Sequence, residues 1–339
     1  MKSVNLCLTG FGRVGRAFSR LIDEKKVECR IRYGLDLRLA AALKSDGGLC
    51  SIKKAGLSWI SELRGDSLHG HPAWQREMCV EAILSEFEHG CLVECTPTDL
   101  KTGDPGLSYM RKALKKGWHI AAASKGALVL KFKELAAFAR RKNAVVKYSA
   151  ATAAALPTLD TGQISLAGAE VIRIDGILTG TTNLILSRME EGLSFEKALN
   201  EAQDRGIAEP DPSLDIDGWD TACKILLISN AVAGTGFQLQ DIPRAGIRHV
   251  SGEELRTARN RGTSLKLLGR MTREKDKARA EVGLFALEPS HPLFSISGTN
   301  KGITFLTDTM DQVTVTGGKS GPSGTAAALL KDIINIYRV

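Results

Sequence analysis

The chain has no long apolar run, although 43% of its 339 residues are hydrophobic. No segment approaches the roughly 20 consecutive apolar residues that a membrane-spanning helix requires. The first residues also lack the longer apolar stretch and small-residue cleavage site of a secretory signal. These absences argue against a membrane protein and a secreted one. We therefore expect a cytoplasmic protein with no membrane partner.

Cysteine pairs are absent as well. The seven cysteines are odd in number, are scattered and form no Cys-x-x-Cys pair. This pattern argues against a disulfide framework and a zinc site, and it is typical of reduced thiols in the cytosol. His69 and His71 form a His-x-His pair, but the sequence offers no further ligand close by. We therefore expect no metal.

The net charge of +8 arises without a basic cluster. Lysines and arginines are spread along the chain among acidic residues, and no basic run is interleaved with aromatic residues, which make up 5% of the chain. A nucleic-acid-binding surface usually concentrates its positive charge. We expect no nucleic-acid partner, and we attribute the excess charge to solubility or to an anionic substrate or cofactor.

Apolar segments of strand length alternate with helical patterns over the first 150 residues. Strands are predicted at 4–9, 37–43, 90–96, 119–123 and 145–148, and helices at 14–22, 107–116 and 131–142. Such alternation is typical of a parallel sheet with helical crossovers. The predicted fold class is therefore α/β, with a Rossmann-type doubly wound nucleotide-binding domain over residues 1–150.

The second half of the chain has the pattern of a mixed α+β domain over residues 151–323. Strands are predicted at 171–178, 279–287, 303–306 and 312–316, and helices at 194–206 and 217–232. The strands suit an antiparallel sheet. The last segment, 324–339, is predicted to contain a helix that packs back on the first domain.

A glycine motif follows the first predicted strand. Residues Gly10-Phe11-Gly12-Arg13-Val14-Gly15 fit Gly-x-Gly-x-x-Gly and open a helix. The first glycine permits a tight turn, the second lets the backbone approach a pyrophosphate, and the third lets helix and strand pack closely. This context predicts a dinucleotide site; the alternative is a glycine-rich turn without a ligand.

The residues around the second strand bear on the choice of dinucleotide. Asp36 lies 21 residues after Gly15 but precedes the predicted strand, which puts it at the wrong end of the sheet for a ribose. The other end carries Lys44, and Lys53 and Lys54 follow. A cation suits a 2′-phosphate, so we expect NADP rather than NAD. The alternative is that Asp46 holds the ribose of NAD.

Five acidic residues surround the start of the helix predicted at 217–232. Asp220 and Lys224 are four residues apart and share one helix face. In one interpretation, Asp215 or Asp217 caps the helix and the pair behind is an exposed ion pair. In the other, Lys224 lies among apolar residues, is partly desolvated and serves as an acid or base.

Six blocks in order along the chain carry a family resemblance. They are Val93-Glu94-Cys95-Thr96-Pro97-Thr98, Ala123-Ser124-Lys125-Gly126, the Gly180-Thr181-Thr182-Asn183 turn, the acidic segment from Glu209 to Lys224, the block from His291 and the glycine-rich block from Gly317. Together they cover nearly the whole chain and resemble the homoserine dehydrogenase family. Such enzymes interconvert L-homoserine and L-aspartate 4-semialdehyde, toward threonine and methionine, with a nicotinamide carrying the hydride.

The resemblance implies a role for each matching residue. Lys125 and Lys224 would flank the reacting oxygen, and Asp220 and Thr181 would orient Lys224 and the substrate. Glu209 and Asp215 would hold the substrate ammonium, and Gly180 would line the pocket. Cofactor contacts would come from the residues Gly10, Phe11, Gly12, Arg13, Val14, Gly15, Lys44, Cys95, Thr96, Pro97, Lys125 and Gly321. The family also implies a homodimer that pairs through the sheet of the second domain.

Two positions depart from the family pattern. Ser124 replaces the usual asparagine before Lys125, and Ser149 stands where a glutamate often helps to bind a monovalent cation. Loss of that carboxylate weakens the case for sodium or potassium. The chain also lacks segments that match a kinase region or the domain that senses threonine in longer relatives, so we expect no threonine inhibition through such a domain.

Three other functions remain open on the sequence alone. A semialdehyde dehydrogenase would need a nucleophilic cysteine with a partner histidine; Cys95 ends a strand, but no histidine is well spaced for it. A dehydrogenase of another small amino acid is a closer alternative. A cofactor-sensing protein without catalysis is the third, because a fold alone does not establish chemistry.

Overall fold

A computed structural model describes residues 1–51, 57, 60, 68–275, 277–318 and 320–338. Lys53 and Lys54 lie outside these residues. The chain divides into two compact units. Unit 1 comprises Met1–Ala154 and Gly321–Val339, and unit 2 comprises Ala155–Ser320. Within the described residues, no helix is both long and apolar enough to cross a membrane.

Unit 1 is built on a seven-stranded sheet in the order β4-β3-β2-β1-β5-β6-β7. The strands are β1 (Lys2–Thr9), β2 (Leu35–Lys44), β3 (Gly47–Cys50), β4 (Gln75–Arg76), β5 (Cys91–Glu94), β6 (His119–Ala122) and β7 (Val146–Lys147). Five of them, from β2 through β7 in sheet order, pair in parallel, whereas β3 and β4 run antiparallel at one edge. The central strands are almost wholly buried, as expected when helices cover both faces.

The helices of unit 1 each bury apolar residues within the unit. They are α1 (Arg13–Tyr33), α2 (Val80–Glu86), α3 (Gly106–Lys115), α4 (Gly126–Arg141), α5 (Ser149–Ala153) and α12 (Pro322–Tyr337). The C-terminal helix α12 packs on α1 and α5. Its Leu329 and Ile333 join one core cluster with Leu6, Leu8 and Phe18. The parallel sheet with its helical crossovers confirms the Rossmann-type fold predicted from the sequence.

Unit 2 contains a five-stranded antiparallel sheet in the order β10-β9-β8-β11-β12. The strands are β8 (Val171–Ile177), β9 (Ser264–Glu274), β10 (Lys277–Leu287), β11 (Gly302–Thr307) and β12 (Gln312–Thr316). The helices are α6 (Thr158–Asp160), a π-helical turn (Thr161–Ser165), α7 (Gly180–Glu190), α8 (Phe195–Asp204), α9 (Ser213–Ile216), α10 (Trp219–Val232), a 3₁₀ turn (Leu239–Asp241) and α11 (Gly252–Asn260). Helix α10 packs on β8, β9 and β10. Unit 2 is thus the expected α+β fold.

Several local predictions were wrong or incomplete. Asp36 is the second residue of β2 and does not precede the strand. Helix α4 begins at Gly126, five residues before the predicted start. The strands β3, β4 and β9 and the helices α2, α7 and α11 were not predicted from the sequence. Gly180-Thr181-Thr182-Asn183, described above as a turn, is the first turn of α7.

Candidate functional site

The glycine motif forms the turn between β1 and α1. Gly10 has a φ of 85°, and a Cβ there would overlap the carbonyl of Cys95. A Cβ on Gly15 would overlap the carbonyl of Gly10, so helix and turn can approach only with glycine here. Around Gly12, by contrast, no described atom would lie within 4 Å of an added Cβ. Phe11 beside it is buried, Val14 is half-buried and Arg13 is exposed.

The start of α1 suits an anion. Gly12 occupies the N-cap position without a side-chain hydrogen bond among the described residues, and the first turn carries no acidic residue. Backbone N–H groups at such a terminus, together with the helix dipole, attract phosphate groups. The open space at Gly12 and this positive end fit the pyrophosphate of a dinucleotide.

Lys44 ends β2 on the side of the sheet where Gly10 lies, since the Gly10 N–H donates to the Leu43 carbonyl. Ser45 and Asp46 form a tight turn into β3. Asp46 accepts a hydrogen bond from His69 at 2.6 Å, which lowers the pKa of this exposed carboxyl. Lys44 is half-buried at this edge, and its charge also lowers the pKa of Asp46.

Asp36 lies at the opposite end of β2 and binds two arginines. Arg30 donates to its Oδ1 at 2.6 Å and Arg38 to its Oδ2 at 2.5 Å. Its side chain is 2% exposed. Burial alone would raise the pKa of Asp36, but the two arginines outweigh burial and lower it. Asp36 therefore stabilises unit 1 and does not face the glycine turn.

A buried carboxylate organises the strand ends on the carboxyl edge of the sheet. Glu94, at the end of β5, accepts hydrogen bonds from the hydroxyls of Thr96 and Ser124 and from the Thr96 N–H. Burial raises the pKa of Glu94. The Cys95 N–H donates to the Thr9 carbonyl at 2.8 Å, and Pro97 is exposed. Ser124 thus has a buried structural partner in Glu94.

Lys125 follows Ser124 and occupies the N-cap position of α4. Its N–H donates to the Thr98 hydroxyl at 3.2 Å, which joins the loops after β5 and β6. Ligands in open parallel sheets bind at this edge. Gly321 is exposed and forms the N-cap of α12, with a φ of 84°.

In unit 2, Asp220 and Lys224 form an ion pair of 2.6 Å on α10. The Lys224 side chain is 15% exposed and that of Asp220 is 12% exposed, so the exposed-pair interpretation is wrong. Lys224 also donates to the Leu178 carbonyl at 2.9 Å. The Thr179 hydroxyl donates to Asp220 at 3.0 Å. These contacts fix both charged groups beside the end of β8.

Capping of α10 differs from the sequence interpretation too. The N-cap residue is Gly218, with a left-handed φ of 81°. Asp217 binds Arg248 in a bidentate ion pair, and Asp215 lies in α9. Glu209 is exposed in the loop after α8. Neither predicted aspartate caps the helix, so the acidic segment is not explained by capping.

Gly180 and Thr181 begin α7 and are buried. A Cβ on Gly180 would lie 2.8 Å from the Thr299 carbonyl, which explains the glycine. The Thr181 hydroxyl donates weakly to the Ile207 carbonyl at 3.4 Å. These residues share unit 2 with Asp220 and Lys224.

Ser149 has taken on a structural contact. Its N–H and hydroxyl donate to the buried Asp332 at 2.8 and 2.7 Å, and Lys331 donates to the Ser149 hydroxyl at 2.8 Å. Burial raises the pKa of Asp332. Among the described residues, no group of three or more His, Cys, Asp or Glu side chains is arranged to hold a metal ion.

Lys301, which was not predicted as a functional residue, precedes β11 and is 3% exposed. Burial and the nearby charge of Lys224 lower its pKa to about 7, while Asp220 acts in the opposite direction. In the sequence, Lys301 stands between Asn300 and an apolar strand. A lysine at such a strand end is equally consistent with an exposed side chain, so the sequence did not indicate a functional role.

A Rossmann-type unit with a glycine turn before its first helix, together with a second unit that carries a mostly buried Asp–Lys pair, is the architecture of a nicotinamide-dependent oxidoreductase. The homoserine dehydrogenase family model matches residues 157–334. Two similar proteins are a homoserine dehydrogenase of Methanocaldococcus jannaschii, 34% identical over 98% of each chain, and an NAD(+)-dependent homoserine dehydrogenase of Pseudomonas canavaninivorans, 32% identical over 100% of this chain and 97% of the other.

Solved structures of homoserine dehydrogenases have a similar fold. The homoserine dehydrogenase of Thermoplasma acidophilum, at 24% identity, has a TM-score of 0.81 with full coverage of both chains, which supports the fold alone. That of S. aureus, at 25% identity, has a TM-score of 0.76 and covers 99% of this chain and 76% of the other. The chain belongs to the homoserine dehydrogenase family. It is an NAD(P)-dependent oxidoreductase that acts on a CH–OH group, as the sequence predicted.

Proposed function

We propose that Lys224 handles the proton in the interconversion of L-homoserine and L-aspartate 4-semialdehyde, the reaction that names the family. The observation that carries this assignment is the 2.6 Å contact with Asp220 on a face that is mostly shielded from water. Asp220 and the Leu178 carbonyl fix the direction of the ammonium group. Oxidation of the alcohol requires removal of a proton, and reduction of the aldehyde requires its delivery.

A positioned acid–base group contributes about 100-fold to 10,000-fold to such a step. Lys224→Met should therefore lower kcat by at least about 100-fold while the protein stays folded. Lys197→Met, on the exposed face of α8, is the matched control. A Lys224→Met enzyme with normal turnover would remove Lys224 from the reaction.

The substrate side of the proposal assigns Glu209 and Asp215 to the substrate ammonium and Gly180 and Thr181 to the pocket. The small zwitterionic substrate needs both a carboxylate and a cation as partners. The acidic residues near the start of α10 provide the carboxylate, and Lys224 provides the cation. Glu209→Gln and Asp215→Asn should raise the KM for homoserine more than they lower kcat.

Unit 1 would hold the dinucleotide, which when bound accepts or donates the hydride. The groups proposed to bind it are the glycine turn from Gly10 to Gly15, the residues Cys95, Thr96 and Pro97, Lys125 and Gly321. Lys125 would also contact the reacting end of the nicotinamide. The support is the open space at Gly12 and the placement of Lys125 at the carboxyl edge of the sheet.

We infer a preference for NADP from Lys44. It lies at the end of β2, where a ribose 2′-phosphate would need a cation, and Asp46 is bound to His69. One relative is named NAD(+)-dependent, so the family does not decide the cofactor. The support for NADP is the position of Lys44 in this chain. Lys44→Met should lower kcat/KM for NADP and leave that for NAD unchanged. Equal losses with both cofactors would contradict it.

Reduced nicotinamide absorbance gives the direct assay. We expect reduction of NADP with L-homoserine and none with L-serine or L-threonine. No reduction with either cofactor, in protein that still binds a dinucleotide, would point to another amino-acid substrate or to a cofactor sensor. We further propose that the protein is cytoplasmic, in keeping with its free cysteines, and forms a homodimer through unit 2.

A further inference from the structure

Lys301 is a buried lysine with a fixed backbone. Its carbonyl accepts the Gly317 N–H at 2.9 Å, and the next residue, Gly302, pairs with Ile177 in β8 and Thr316 in β12. This register puts Lys301 level with Leu178, whose carbonyl accepts the Lys224 ammonium. Lys301 therefore directly precedes the strand that pairs with β8, beside the Leu178 carbonyl that binds Lys224.

Two lysines and one carboxylate act on one another here. Among the residues the structure describes, Lys224 and Asp220 are the charged groups on α10 whose fields reach Lys301. The adjacent end of β8 contributes the uncharged Leu178 and Thr179. With both lysines protonated, this buried cluster would carry a net positive charge, which burial disfavours.

One of the two lysines must therefore release its proton first. Lys301 is 3% exposed, whereas the Lys224 side chain is 15% exposed and in direct contact with Asp220. Lys301 is thus the lysine that loses its proton more easily. Its pKa is lowered to about 7, and burial is the largest cause.

We propose that Lys301 is a positioning residue for the reaction, which compensates the charge of Asp220 whenever Lys224 gives up or takes back its proton. When the aldehyde is reduced, the Nζ–H bond of Lys224 breaks and the O–H bond of homoserine forms. Lys301 then takes a proton from the solvent, so Asp220 keeps one cationic partner. In the oxidative direction, Lys224 gains the proton and Lys301 releases one. The inference rests on the proposed role of Lys224.

The test is the pH dependence of kcat for homoserine oxidation in wild-type enzyme, Lys301→Met, Lys301→Arg and Lys266→Met. Lys266 on β9 is the matched control, since it is 2% exposed, its pKa is lowered by burial, and it faces Glu190. We expect Lys301→Met to shift the apparent pKa that governs kcat by about one unit or more, a tenfold change in proton affinity. Lys266→Met should keep the wild-type profile.

The Lys301→Arg variant tests whether Lys301 acts by exchanging a proton or only by carrying a fixed positive charge. Its guanidinium stays protonated, so Lys301→Arg should not restore the wild-type profile. A Lys301→Met enzyme with the wild-type profile, or full rescue by arginine, would overturn the proposal. Loss of activity in Lys224→Met with an unaltered profile in Lys301→Met would leave the proposed function intact and refute this inference alone.

Stability provides a second measurement that does not need activity. A lysine that ionises near pH 7 in the folded protein and near 10.5 when unfolded binds fewer protons in the folded state between those values. Its burial therefore destabilises the wild-type protein most at low pH, and stability rises between about pH 7 and 10. Lys301→Met should flatten this rise; an unchanged slope would contradict burial of an ionisable Lys301.

Discussion

The acidic residue at the start of β2 illustrates what a single position contributes. Asp36 stands at a sequence distance from the glycine turn that suits a ribose-binding carboxylate, yet two arginines hold it at the far end of the strand. The spacing was therefore misleading, and the parallel direction of β1 and β2 was the better guide. The Asp36 side chain is engaged by these two arginines at the end of β2 away from the glycine turn.

Asp36→Asn should lower the free energy of unfolding by about 2 kcal/mol, because it weakens buried hydrogen bonds to charged groups. Urea unfolding at neutral pH measures this, and the KM values for NADP and NAD should not change. The pKa of Asp36 is lowered, so its stabilising effect is present at neutral pH and is lost as pH falls through that lowered value. A selective loss of NAD activity would show that Asp36 meets the cofactor.

At the scale of elements, the sequence predicted those parts whose pattern is local. The strands β1, β8 and β12 and the helix α8 are close to their predicted bounds. Strand β9 was missed because basic residues interrupt its apolar pattern. One of them, Arg270, pairs with Asp175 on the neighbouring strand, a contact that only the folded sheet provides. Helix α7 was missed because it is buried on nearly every side and has no amphipathic period.

In the candidate site, too, residues in local motifs were predicted and residues that depend on contacts between strands were not. Motifs pointed to the glycine turn, Lys125 and the Asp220–Lys224 pair. The sequence assigned no role to Glu94, Thr179 or Lys301, because each acts through contacts between separate strands. A lone threonine or lysine carries no periodic signal, so its partners become visible only with the strand register.

Two glycines of the Gly-x-Gly-x-x-Gly motif, Gly12 at the N-cap of α1 and Gly15 in its first turn, should respond differently to alanine. Gly15→Ala would force a Cβ into the Gly10 carbonyl, so thermal unfolding should occur at a lower temperature. Gly12→Ala meets open space and has an ordinary φ of −87°, so the free protein should stay stable. Its affinity for NADP should nevertheless fall, measured by calorimetric titration, because the methyl group would occupy the path of the pyrophosphate. Normal affinity in Gly12→Ala would contradict a pyrophosphate there.

The contact between α5 and α12 offers a test of the Ser149 departure. Ser149→Ala should cost about 1–3 kcal/mol, because buried Asp332 loses a hydrogen-bond donor. Ser149→Glu, which introduces the glutamate that the family resemblance implies at this position, should cost more, since it puts a second carboxylate against Asp332. Chemical unfolding of the two variants makes the comparison. A Ser149→Glu protein that is more stable than Ser149→Ala would mean that the site can accept the family glutamate.

At the scale of the whole molecule, the net charge of +8 matches an anionic cofactor better than a zwitterionic substrate. Positive charge spread over a protein raises the rate at which anions reach their site, and salt screens that attraction. The screening length falls from about 30 Å at 0.01 M salt to about 10 Å at 0.1 M. Salt should therefore reduce the rate of binding most for the ligand with the largest negative charge.

The kcat/KM for NADP should therefore fall as ionic strength rises over about 0.01 to 0.2 M, and it should fall more steeply than that for NAD, which lacks the 2′-phosphate. Steady-state assays with saturating homoserine measure both slopes, and the KM for homoserine, which has no net charge, serves as the internal control. Lys44→Met should bring the NADP slope toward that of NAD, since it removes the cation nearest the end of β2. Parallel slopes for the two cofactors in the unaltered enzyme would mean that neither the overall charge nor Lys44 acts on the 2′-phosphate.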